Sequence, residues 1–352
     1  MKPTIILLGL ISTFSLTTSA QNNGLPTFTT VKANPITSVK DQHRSGTCWC
    51  YATLGFIESE ILRQSGKTYD LCEMFVVNHD YMDCATHHVR MHGLSDFTEG
   101  GAADDVFDVI QRHGICPEEA MPAPGTLCGD TLANFTTFHP ELTTMVKQFA
   151  STNENHPDPQ WKQKVQKFID KHLGECPDTF EYEGKTYTPQ TFAQSLGIDW
   201  NNYISLTSFT HHPFQQYFVI EAPYKWRLKP SYNIPIDQLM QTLDNALMKG
   251  YCVDWGGDVS GDFYRDGIAI LPDGVVPTQE LRQQQFDDWT FTYDHVMLIY
   301  GIAKDQNGKK YYMVKNSWGN TGYKGTWYMS ADYIKLNTTY IYLCKDAVDF
   351  NI

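Results

Sequence analysis

Three stretches of the chain carry apolar residues at helical spacing. Ala52, Phe56, Ile57 and Ile61 share one face of a helix that starts near Cys48 and stops at Gly66. Trp161, Val165, Phe168, Ile169 and Leu173 mark a second helix, whose other face carries Lys162, Lys164, Lys167 and Lys171 and reads as solvated. Ile236, Leu239, Met240, Leu243 and Leu247 mark a third, between Pro235 and Lys249. Strand-length apolar runs dominate the C-terminal part: Tyr217–Ile220, Tyr251–Val253, His295–Ala303, Lys310–Lys315 and Thr326–Met329. Asp305-Gln306-Asn307-Gly308 is the turn of a predicted hairpin. Phe180–Tyr187 reads as a smaller hairpin around Glu183-Gly184, and Thr188-Pro189 opens a short helix. Helices come first and strands later, which predicts an α+β fold with a helical lobe before residue 135 and a mainly antiparallel β-rich lobe over 201–352.

The first twenty residues follow a different pattern. Lys2 precedes an apolar run from Ile5 to Leu16 that is too short to cross a bilayer, and Thr18-Ser19-Ala20 places small residues before Gln21. Residues 1–20 are predicted to be a signal peptide, so the mature chain is expected to be exported, with no membrane span. The full sequence of 352 residues includes 27 basic and 40 acidic side chains, a net charge of −13. With no basic cluster, nucleic acid is not an expected partner. Nine cysteines stand at 48, 50, 72, 84, 116, 128, 176, 252 and 344. Export permits disulfides, an odd count leaves at least one thiol over, and the spacings are not those of a zinc framework. Cys84, His87, His88 and His92 read as a polar loop rather than a metal cluster, and no metal or cofactor is expected.

One thiol has a catalytic setting. Gln42-His43-Arg44-Ser45-Gly46-Thr47-Cys48 is a polar loop running into the first helix. At a helix N-terminus the dipole and unbonded N–H groups favour a thiolate and can receive an oxyanion. Gln42 carries a side-chain amide that can reach the same place. Cys50, two positions on, points away and reads as a buried structural thiol. A thiolate needs a base and a group to orient it. His295 stands at the mouth of an apolar strand, and the next strand ends in Asn316-Ser317-Trp318-Gly319, so Asn316 can hold the imidazole while Trp318 covers their hydrogen bond.

Gln42, Cys48-Trp49, His295 and Asn316-Ser317-Trp318-Gly319, in this order, resemble the papain-like cysteine peptidases. The resemblance implies a two-lobed papain-like fold, with Cys48 as nucleophile, His295 as its partner, Asn316 as orienter, and Gln42 with the Cys48 N–H as oxyanion hole. Gly100-Gly101 resembles the segment along which substrate backbone runs. Three departures resemble the bleomycin hydrolase and aminopeptidase C branch. Ser45 and Thr98 stand where secreted members carry a disulfide. Cys48 and His295 lie 247 positions apart, against ~130–150 in papain-like enzymes, which implies an inserted helical subdomain over 136–200. Few residues precede Gln42, too few for an inhibitory prosegment. Gly114-Ile115-Cys116-Pro117, Ser208–Pro213 and Asp254–Asp258 are further likenesses.

The branch resemblance implies an aminopeptidase acting on peptides, a homo-hexamer, and a C-terminal arm that lies in the cleft and measures the substrate's N-terminus. Only 36 residues follow Asn316; most are claimed by Thr326–Met329, Ala331–Ile334 and Tyr340–Leu343, leaving Cys344–Ile352 as the arm. A papain-like endopeptidase and a non-catalytic peptide-binding scaffold are the alternatives; four intact catalytic positions argue against the scaffold.

Overall fold

The computed structural model describes residues 26–121, 133–151, 158–260 and 264–351. The expected signal peptide over 1–20 and Cys128 lie outside the described residues. The chain enters through strand β1 (Phe28–Ala33) and builds helices α1 (Cys48–Ser65), α2 (Glu73–Arg90) and α3 (Ala103–His113). The end of α1 is the expected one: Gly66 takes φ +72° and its N–H bonds to Leu62 O at 2.9 Å. From Cys48 to Ile61 every residue of α1 except Tyr51 is buried, so this is a central helix. Its polar groups tolerate burial by pairing. Glu58 accepts from the Leu71 N–H (2.9 Å) and the Thr37 hydroxyl, and Thr53 donates to Asp254.

Helices α4 (Phe138–Ala150) and α5 (Trp161–Leu173), the hairpin of β2 (Phe180–Tyr182) and β3 (Lys185–Tyr187), and α6 (Pro189–Ser195) come next. The apolar stripe of α5 is buried at Trp161, Val165, Ile169 and Leu173. Both α4 and α5 pack on α2, and α6 packs on α3. Leu142, Val146, Val165 and Ile169 belong to the same core as Phe75 and Val76 of α2. The expected insertion over 136–200 therefore enlarges the helical lobe instead of standing apart, because its apolar stripes leave water only by covering α2.

The remaining helices are α7 (Ile236–Met248), α8 (Gln279–Asp287), α9 (Thr321–Lys324) and α10 (Ala331–Asn337), and the remaining strands are β4 (Tyr203–Thr207), β5 (Gln216–Phe218), β6 (Ser231–Asn233), β7 (Val253–Gly257), β8 (Tyr264–Arg265), β9 (Ile268–Ala269), β10 (His295–Asp305), β11 (Lys310–Lys315), β12 (Thr326–Ser330) and β13 (Thr338–Cys344). These strands form one sheet in the order β5-β6-β4-β13-β7-β10-β11-β12-β9-β8, and β1 pairs with β10 as an eleventh strand. Pairing is antiparallel except β4–β6 and β12–β9. The architecture is α+β, as expected. One boundary is corrected: the helical lobe was placed over 21–135, yet Phe28–Ala33 pairs with Gly301–Asp305 in the sheet. This Thr- and Lys-containing strand is mostly exposed and carries no apolar alternation. It is held by tertiary contacts, including Phe28 stacked on Tyr328 with ring centroids 3.8 Å apart.

Strand β10 is buried from His295 to Ala303 because both faces of the sheet are covered. Val296 and Leu298 join the core of α1, while Met297 and Ile299 join a second core with Leu239, Leu243 and Leu247 of α7. The C-terminal tail follows from the register. Thr338 and His295 both pair with Gly257 at one end of the sheet, and Cys344 pairs with Tyr203 at the other. The chain thus leaves β13 at the end remote from His295. Ala347, Val348 and Phe350 pack into the α7 core, and Asn245 donates to Asp349 at 2.8 Å. The residues after Cys344, as far as Asn351, do not form the expected arm in the cleft. Among the described residues no helix is long and apolar enough to cross a membrane.

Candidate active site

Cys48 opens α1, where the first N–H groups have no helical acceptor. The Trp49 and Val296 N–H groups both point at its sulfur and favour the thiolate. Val296 is the second residue of β10, so the sulfur lies against the strand that begins with His295. Burial works the other way and pushes the Cys48 thiol up to about 12. Burial also lowers His295 to about 4, opposed by its hydrogen bond to Asn316. Each group alone is held neutral. Passing the proton from sulfur to imidazole keeps the pocket's net charge unchanged and lets each new charge stabilise the other, which is the inexpensive route to a thiolate here.

Asn316 fixes which imidazole nitrogen does this. His295 Nε2 lies 2.8 Å from Asn316 Oδ1, which also accepts the Ser317 N–H at 2.8 Å. The Asn316 oxygen therefore faces the ring, His295 carries its proton on Nε2, and Nδ1 is the basic nitrogen. The Trp318 ring lies 4.7 Å from the imidazole, between centroids, and meets Trp327 edge-on. Trp318 thus lies against the imidazole that bonds to Asn316.

Gln42 reaches the site by backbone pairing. Its N–H donates to Ser317 O (2.8 Å), the Gly319 N–H donates to Lys40 O (3.1 Å), and Asp41 bridges to Trp318. The Ser317 hydroxyl donates to Gln42 Oε1 at 2.5 Å, and Gln42 Nε2 donates to Ser45 O at 2.7 Å. Both ends of the amide are thereby oriented. A primary amide has two N–H groups, so one hydrogen of Nε2 is left for a ligand. The Ser45 hydroxyl bonds to Gln42 O (2.8 Å) and to Thr47 Oγ1 (2.6 Å), tightening the loop with no covalent tie. Glu99 supplies the cross-link between segments: its carboxylate accepts the Gly46 N–H at 2.5 Å, and its carbonyl accepts the Trp49 indole N–H at 3.0 Å.

Gly100 and Gly101 differ. A Cβ on Gly101 would stand 2.8 Å from the Trp49 indole, so this glycine lets Trp49 pack. Its carbonyl accepts the Tyr293 hydroxyl at 2.8 Å. A Cβ on Gly100 would meet nothing closer than 3.8 Å. Tyr224 lies beside Gly100 and stacks on Tyr293 with centroids 4.0 Å apart. Tyr224 and Tyr293 also line a cavity of about 760 Å³ with Glu221, Phe286, Trp289 and Phe291.

With this geometry in place, comparison with known proteins assigns the chain. Residues 9–349 match the Peptidase C1-like family. The chain belongs to that family. Aminopeptidase E of Lactobacillus helveticus is 22% identical over 344 residues, covering 84% of this chain and 78% of that protein. Aminopeptidase C of Listeria monocytogenes is 21% identical, covering 81% and 76%. The crystal structure of PepW from Lactobacillus rhamnosis superposes with a TM-score of 0.74 at 20% identity, over 91% of this chain and 82% of that one, which establishes the shared fold. This Peptidase C1-like chain is a papain-like protein of the bleomycin hydrolase and aminopeptidase C branch, as its motifs implied.

The structure brings Cys48, His295, Asn316, Gln42 and Trp318 to one end of the sheet, with Gly101 against Trp49 and Gly100 beside Tyr224. Sequence reading gave no roles to Ser317, Glu99, Tyr224 or Tyr293. Ser317 stood inside the quoted motif. The others carry no local signal, because their partners lie far away in sequence. Cys84, His87, His88 and His92 do not converge: Cys84 Sγ faces Asp96 O (3.9 Å), His88 Nδ1 faces Ser95 (3.4 Å) and His87 packs on Trp226. All eight described cysteines are free thiols.

Proposed function

We propose that this chain is a cysteine aminopeptidase that works through a thioester acyl-enzyme. The observation that carries the reading is the His295–Asn316 hydrogen bond at the mouth of β10, with the Val296 N–H of the same strand favouring the Cys48 thiolate. Cys48 Sγ attacks the peptide carbonyl as its proton passes to His295 Nδ1. The Gln42 amide and the Cys48 N–H receive the oxyanion. The imidazolium then gives its proton to the leaving amine as the C–N bond breaks. Water, deprotonated by His295, attacks the thioester and releases the acid and the thiol.

Gln42→Ala is expected to lower kcat by ~10²–10³, the usual loss for one oxyanion donor, with KM changed far less. Steady-state kinetics checks this; an unchanged kcat removes Gln42 from the oxyanion hole.

The choice of an exopeptidase rests on the full-length relatives, which are named aminopeptidases, and on the cleft. A long substrate extending N-terminally from the scissile bond would use the 100–101 backbone. Tyr293 already occupies the Gly101 carbonyl, and Tyr224 stands beside Gly100. These tyrosines narrow the path on the N-terminal side of the scissile bond. Mass analysis of a defined peptide digest is expected to show single residues lost from a free N-terminus and no cleavage after N-acetylation. Internal cuts would turn the reading to an endopeptidase.

The N-terminal apolar segment supports export of the mature enzyme, and a hexamer is the assembly implied by the branch. N-terminal sequencing of secreted material and a sizing measurement test these two.

A further inference from the structure

The strongest unexplained cluster lies on the rim of the 760 Å³ cavity, away from Cys48. His211 and His212 follow β4, and Glu221 follows β5. The two imidazoles aim at opposite oxygens of one carboxylate: His211 Nε2 is 3.0 Å from Glu221 Oε2, and His212 Nε2 is 2.8 Å from Glu221 Oε1. Among the described residues this is the group whose His, Cys, Asp or Glu ligand atoms all fall within 4.8 Å of one another. The rings are braced from behind. His211 stacks on Phe286 with centroids 5.3 Å apart, and His212 on Phe218 at 4.3 Å.

We propose that His211, His212 and Glu221 bind a zinc-class divalent cation. Two imidazole nitrogens and one carboxylate are a common zinc set, leaving a fourth position for water or a ligand. Tetrahedral ligands at ~2.1 Å from zinc stand roughly 3.4 Å apart. The two imidazole–carboxylate separations are those of hydrogen bonds, and a small expansion admits a cation between the rings and the carboxylate. Each imidazole stays neutral: as Nε2 takes the cation, the His211 proton moves from Nε2 to Nδ1 through solvent. That proton meets Gln283 Oε1 at 3.3 Å, whereas in the metal-free tautomer Nδ1 accepts from Gln283 Nε2 at 3.0 Å. Gln283 is itself fixed, accepting the Thr210 N–H at 2.6 Å and donating to Asp287 at 2.8 Å. Such an outer partner orients a ligating imidazole. The site ties the segment after β4 to the segment after β5 at the cavity rim.

The test uses the full-length chain carrying Cys48→Ala, which removes the catalytic thiol as a competing zinc ligand. After chelation and re-exposure to zinc, elemental analysis and titration calorimetry are expected to give one zinc per chain. Adding Glu221→Gln, which keeps the shape, or His212→Ala is expected to weaken binding by roughly a hundredfold or more. Cobalt substitution is expected to give visible bands of a four-coordinate nitrogen and oxygen site with no sulfur charge-transfer band. The site is rejected if the Cys48→Ala chain retains no zinc, if both added variants retain it unchanged, or if cobalt reports thiolate ligation. Peptidase activity of the wild-type chain plays no part in these readings, so the proposal stands or falls apart from the enzymatic one.

Discussion

Cys48→Ala is expected to abolish peptide hydrolysis while leaving the fold intact. Losing the nucleophile of a coupled catalytic set costs on the order of 10⁶ in kcat in a hydrolase of this logic. The loss is specific to chemistry because the side chain does little structural work. Cys48 is 8% exposed, and alanine at this position keeps the backbone and Cβ of α1 beside the buried Trp49, Leu54 and Phe56. Circular dichroism and the unfolding midpoint should therefore match the wild-type chain, as should binding of a product peptide. A thiol-directed peptide electrophile should label the native wild-type chain at position 48 and fail on the variant. Wild-type turnover by purified Cys48→Ala protein would remove the cysteine mechanism. Absence of native labelling at Cys48 would favour a peptide-binding scaffold on this fold.

The second large effect is on stability. Arg227 comes from the β-rich part of the sequence but lies on the helical lobe, where its guanidinium meets four carboxylates. Nη2 is 2.6 Å from Asp80 and 3.2 Å from Asp83, Nε is 2.9 Å from Asp105, and Nη1 is 2.6 Å from Asp108. Its side chain is 8% exposed. Burial raises the Asp80 and Asp105 carboxyls above their ordinary range, and Arg227 opposes that rise. Arg227→Leu leaves buried carboxylates without their cation, and removing one partner of a buried pair typically costs about 3–5 kcal/mol. The pH dependence gives the prediction its sign. In the variant the folded carboxyls titrate above their unfolded value of ~3.9. A carboxyl that stays protonated in the folded state favours folding at low pH and loses that contribution as pH rises through its folded value. The deficit against wild type should therefore grow from about pH 4 towards neutrality, as read by urea unfolding at several pH values. A deficit that is small or independent of pH would show that the four aspartates do not need Arg227.

The same residue explains part of what the sequence concealed. Lys225 and Arg227 sit in an unremarkable segment between two short strands, and their partners at Asp104, Asp80 and Asp105 lie more than a hundred positions earlier. No local periodicity reports a pairing over that distance. Tyr293 is hidden in the same way, since its hydroxyl is committed to Gly101 O, 192 positions away. The tail shows the converse. Its residues could be read, but its direction could not, because that depends on β13 pairing between β4 and β7. Helix α5 and the β10–β11 hairpin were legible at once, since their apolar spacing and turn residues are local properties.

The amino-acid sequence alone carried the family and pointed to Cys48, His295 and Asn316 for the roles proposed above, because those roles need particular side chains in a fixed order. It also determined the main helices and strands, whose burial patterns repeat within a few residues. Only the tertiary structure decided that the segment over 136–200 would pack on the helical lobe, that the residues after Cys344 would run away from the His295 end of the sheet, and that Tyr293 would bond to the Gly101 carbonyl. It alone brought His211, His212 and Glu221 together. Each of these depends on which distant surfaces bury one another, and that choice is made by the packing of the whole chain rather than by any one segment of it.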